Sequence, residues 1–61
     1  MATPLEIRVY QKQHLGTLLK IKSENPGITV KGLQEAIQAA VNVMEQEDVA
    51  YTEKIYGVKA L

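Results

Sequence analysis

The chain has 61 residues, with seven basic and seven acidic side chains, one histidine and no cysteine. That composition excludes a disulfide or a thiolate metal site, and His14 alone cannot anchor a histidine cluster. A net charge of zero removes the basic excess that most phosphate-backbone binders carry. A domain this small buries only about 60% of the surface its unfolded chain exposes, and below roughly 70 residues one core seldom suffices without a disulfide, a metal or a partner chain. Of those supports only the partner remains. With three Tyr and neither Phe nor Trp, the core must come from Leu, Ile, Val, Met and Ala, a set that favours helices. Met1-Ala2-Thr3-Pro4 opens without a basic, then apolar, leader, and nowhere do 18 consecutive apolar residues occur. The expectation is a single-domain, soluble, cytoplasmic protein without a membrane segment, a lipid anchor or a cofactor.

Thr3-Pro4-Leu5-Glu6 combines a capping Thr, Pro at the first helical position and Glu three residues after the cap. These signals predict a first helix from about Pro4 to about Ser23. Ile7, Tyr10, His14, Leu18 and Ile21 fall on one narrow stripe of it, with Leu15 and Leu19 widening one flank. Leu5, Ile7 and Val9 also alternate with Glu6, Arg8 and Tyr10, so residues 5–10 have a strand alternative. Gly16 marks either the handover from such a strand or a close approach of two helices.

Asn25-Pro26-Gly27 ends this segment. Thr29 offers the next cap, and a second helix is predicted from Val30. Leu33, Ile37, Ala40, Val41, Met44, Tyr51 and Ile55 then recur three or four positions apart along one apolar face, without Gly or Pro after Gly32. Because neither breaker is present, the pattern predicts one continuous or gently kinked helix. The alternative places a break at Glu45-Gln46-Glu47-Asp48, with Asp48 capping a short third helix that ends near Gly57. The fold class is all-α: an antiparallel helical hairpin, with a possible short third helix, pairing into a dimeric bundle.

Charge is uneven within the neutral total. Residues 1–31 sum to +3, through Arg8, Lys12, Lys20, Lys22 and Lys31 against Glu6 and Glu24, and residues 32–61 sum to −3. Folding the halves together, or packing two copies side by side, would match them. Few residues suggest chemistry. Histidine is the residue type suited to proton transfer near neutrality, but the helical neighbours of His14, which are Tyr10, Leu18, Gly16 and Thr17, supply no triad, and an interface or half-buried packing role is expected. Glu45, Glu47 and Asp48 lack the Gly turn and alternating ligands of a calcium loop and read as a solvated face. Tyr51-Thr52 sits among acids like a phosphorylation site, yet Tyr51 lies on the apolar stripe and burial is expected. Tyr10 and Tyr56 are the accessible aromatic anchors. No phosphate loop, nucleophile elbow or metal spacing occurs.

Leu18-Leu19-Lys20-Ile21-Lys22, followed by Asn25-Pro26-Gly27-Ile28-Thr29-Val30-Lys31-Gly32-Leu33-Gln34-Glu35-Ala36-Ile37, resembles the first two helices of winged-helix DNA-binding domains. The resemblance covers about a third of the chain. It implies a helix-turn-helix geometry, with Lys20, Lys22 and Lys31 as phosphate contacts. After Ile37 the family turns into a basic recognition helix, whereas Gln38 to Met44 continue in helical character. The function expected is therefore non-enzymatic: a small regulatory or adaptor protein that self-associates and presents a helical surface to a protein partner. Its candidate interface is Tyr10, His14, Ile37, Val41, Met44, Tyr51 and Ile55, and nucleic-acid binding is the alternative.

Overall fold

The computed structural model describes residues 3–25, 27 and 31–61, and among these every regular element is a helix. Helix α1 spans Pro4–Glu24, α2 Leu33–Asn42 and α3 Gln46–Tyr56. Residues 5–10 are helical, so the strand alternative fails. The reason is local: Thr3 has extended backbone, its Oγ1 accepts the Glu6 N–H at 3.1 Å, and Pro4 occupies the first helical turn. At the other end Asn25 closes α1, its backbone N–H donating to the Lys22 carbonyl and its Nδ2 to the Ile21 carbonyl at 2.8 Å. Two otherwise unpaired carbonyls are thereby satisfied.

Helix α2 begins at Leu33, three residues later than Val30, after a cap at Gly32 in the left-handed region (φ 80°). The proposed Thr29 cap and Val30 lie outside the described residues. The larger correction is downstream: the continuous helix is broken over Val43, Met44 and Glu45, and a separate α3 follows. No Gly or Pro causes this. Tightened bonds end α2, with the Val43 N–H on the Ala40 carbonyl and the Met44 N–H on that of Val41. Glu45 then takes an extended conformation (ψ 146°) and starts α3. Tertiary contacts hold the break: Gln11 Nε2 donates to the Val43 carbonyl at 3.3 Å, and Met44 packs on the core. The cap is Glu45 rather than Asp48, and Glu47 and Asp48 sit in the first turn of α3, where the helix dipole favours acids. Gly57, at φ 65°, ends the helix in a conformation that only Gly adopts without strain.

Helix α1 packs against both α2 and α3, which meet each other far less. Leu15 and Leu19 of α1, Ile37 and Ala40 of α2, and Ala60 beyond α3 form the buried core. Leu18, Leu33, Val41, Met44, Val49 and Val58 pack around it. The inner face of α1 therefore lies one step round from the stripe that the sequence suggested. It runs Arg8, Gln11 beside Lys12, Leu15, Leu19, Lys22, again in steps of three and four but with polar residues at both ends. Ile7, Tyr10, His14 and Ile21 are exposed, and only Leu18 of that stripe is half-buried.

Candidate interaction surface

Three levels of contact along α1 position everything else. At the first, Arg8 reaches the N-terminus of α3, where its Nε donates to Asp48 Oδ2 at 2.9 Å and a terminal nitrogen to Asp48 Oδ1 at 2.8 Å. The same nitrogen lies 3.2 Å from Glu47 and 3.5 Å from Glu45. A planar guanidinium facing both oxygens of one carboxylate fixes orientation as well as distance. Asp48 is buried, and Thr52, buried one turn on, donates from Oγ1 to the Asp48 carbonyl at 2.8 Å. Those hydrogen bonds from Arg8 hold the Asp48 carboxyl below the usual carboxylate range; burial opposes the effect, while the charges of Arg8 and Lys12 support it. Arg8 is in turn pushed further above its ordinary range, first by the hydrogen bond to Asp48. Glu45 and Glu47, with side chains 63% and 75% exposed, keep most of the acidic run solvated as expected, and only its Asp48 is buried. Its cation is Arg8.

At the second level, α1 supports two tyrosines of α3. Lys12 Nζ stands 5.3 Å from the centroid of the Tyr51 ring, within cation–π reach. The Tyr56 ring lies over Gly16, so close that a β-carbon there would stand 2.8 Å from ring carbon Cε2. Gly16 therefore marks the close approach of two elements. At the third level, Lys22 Nζ donates to the Lys59 carbonyl at 2.8 Å, Gln34 Nε2 donates to that of Ala60 at 3.0 Å, and the Ala60 N–H donates to Glu53 Oε2 at 2.7 Å. One side chain from each helix holds the segment after α3, which seats Ala60 in the core.

The predicted interface residues do not come together. Ile37 is fully buried, and Val41 and Met44 pack on the core, so these three complete the fold. Tyr51 is 57% and Ile55 59% exposed on α3, contrary to the burial expected of Tyr51. Both stand on a helix whose inward positions are taken by Asp48 and Thr52. Tyr10 is 63% exposed, and His14 is exposed rather than half-buried. Of the three lysines in the nucleic-acid alternative, Lys20 and Lys31 are exposed, whereas Lys22 is half-buried on the Lys59 and Ala60 carbonyls. Sequence reasoning missed Arg8 and the segment around Ala60. Arg8 left a signal: it stands seven residues before Leu15, on the row that becomes the inner face.

The depression lined by Leu5, Glu6, Val9, Tyr10 and Gln13 belongs to one helix and can cover a ligand from one side only. Among the described residues no three His, Asp or Glu side chains form a group suited to a metal ion, and no helix is long and apolar enough to cross a membrane. What the surface does offer is apolar. Among the described residues Leu5, Ile7, Val9, Tyr10, Ile21, Val43, Tyr51, Ile55, Tyr56 and Leu61 are all exposed, ten large side chains against five buried core residues. No family model, curated protein or solved structure matches the chain.

Proposed function

We propose that this chain is a small, non-enzymatic regulatory or adaptor protein of the cytoplasm, acting through helix-mediated self-association and through contact with a protein partner. In this reading α1 and α2 form an antiparallel hairpin, α3 is its short third helix, and two copies build a dimeric bundle. The observation that carries it is the imbalance, among the described residues, between ten exposed large apolar side chains and a core of five residues, two of them alanine. Scattered apolar residues are ordinary on any surface, but rows at helical spacing on a domain this small are the kind of surface that a partner covers. Fourteen charged residues that cancel leave no bulk repulsion between copies. Sedimentation equilibrium on the full chain tests the reading. A dimer at micromolar concentration is expected, and a folded monomer throughout that range overturns the self-associating part.

A further inference from the structure

We propose that the second copy packs antiparallel along the Ile7–Tyr10–His14–Ile21 face of α1, with the two-fold axis beside His14. The inference rests on the self-associating reading above and adds where and in which direction the copies meet. Those four residues are spaced at three, four and seven along one side of α1, and all are exposed. Neither α2 nor α3 covers them, because α1 turns its Arg8–Leu15–Leu19–Lys22 row toward the rest of the fold.

The row is symmetric about its centre. His14 is the midpoint of Pro4–Glu24, and Ile7 and Ile21 stand seven residues to either side. A two-fold axis at His14 places Ile7 of one copy beside Ile21 of the other and sets the two His14 rings across the axis. Tyr10 then falls toward the other copy's half-buried Leu18. Such self-matching is what an isologous contact demands.

Charge selects the direction. Glu6, Gln13 and Lys20 form one edge of this face at seven-residue spacing, and all three are exposed. In an antiparallel pair each edge lies against its own counterpart, so Glu6 of each copy meets Lys20 of the other, with Gln13 against Gln13 between them. A parallel pair would set this edge against the opposite one, Gln11 and Leu18, which carries no charge. Complementary edges fix the partner and its orientation more than they drive association.

Charge exchange tests this in sedimentation equilibrium, with helicity checked by circular dichroism. Glu6→Lys and Lys20→Glu each create two like-charge contacts per dimer and are expected to weaken association about tenfold. An equimolar mixture of the two variants restores it as a one-to-one heterodimer. His14→Lys, on a side chain exposed in the single copy, sets like charges across the axis and is also expected to dissociate the dimer, while Ile55→Ser on α3 leaves it intact. A dimer indifferent to all three α1 variants, or one dissolved by Ile55→Ser, overturns the α1 face while leaving self-association standing. A monomeric wild-type chain removes both.

Discussion

Helix α1 makes two junctions of opposite chemistry. In the middle of the molecule Leu15 and Leu19 meet Ile37 and Ala40 of α2, an apolar contact whose strength follows buried area and hardly depends on angle. Toward its N-terminal end Arg8 meets Asp48 of α3 through two hydrogen bonds that exist in one geometry only. The first junction supplies the free energy of folding. The second supplies register: it ties Asp48, and with it the inward side of α3, to one turn of α1. Asp48 and Thr52 occupy the inward positions of α3, so Tyr51 and Ile55 remain on the surface. An ionic contact inside has kept apolar residues out.

The largest effect should come from breaking the apolar junction. Leu15→Ala or Leu19→Ala removes a fully buried side chain and is expected to cost about 2–5 kcal/mol, enough to abolish a cooperative urea transition in a domain of this size. Next comes the ionic junction. Arg8→Ala leaves Asp48 buried without its cation and should lower the melting temperature more than the paired replacement Arg8→Met with Asp48→Leu, because an orphaned charge is worse than an apolar pair. Equal losses from the two would show that Asp48 escapes to solvent when Arg8 is gone.

Acid sharpens the same contrast. The Asp48 pKa is lowered on folding, so its contribution is fully present above the unfolded value of about 3.9 and is lost as pH falls through the lower, folded value. Thermal melts of the wild type and Asp48→Asn should differ at pH 7 and draw together as pH falls below the unfolded value of about 3.9; Arg8 stays charged throughout and adds no step. The smallest effect belongs to Gly16. Gly16→Ala gains up to about 1 kcal/mol of helix propensity but drives a β-carbon into the Tyr56 ring. It should be neutral or unfavourable in the wild type and stabilising in a Tyr56→Ala background, a sign change that a double-mutant cycle would read.

What the sequence disclosed follows the same division. Thr3 and Pro4 marked the start of α1, Asn25 its end and Gly57 the end of α3, because each acts through its own backbone. The α2 stripe of Leu33, Ile37, Ala40, Val41 and Met44 was legible because apolar periodicity reports burial directly. Tyr51 and Ile55 extend it only in an unbroken helix. The break at Val43–Glu45 adjoins the acidic run where the alternative reading placed it, and it is braced by Arg8 and Gln11, more than thirty residues away in sequence. The segregation of charge between the halves hinted that they meet, without naming Arg8 as the residue that enters the acidic run. For the candidate surface the legible part was the stripe Ile7, Tyr10, His14, Leu18 and Ile21, of which Leu18 packs on the core. That the rest of it faces away from the core was not legible, since α1 carries a second row of the same period.

The sparse contact between α2 and α3 has a dynamic consequence. Each is tethered to α1 separately, as two spokes on one axle, so either can swing off while the other stays seated. Amide protons of α3 should then exchange with solvent through an excursion that leaves those of α2 protected. The Ala60 segment restrains that motion, because it grips α1, α2 and α3 together through Lys22, Gln34 and Glu53.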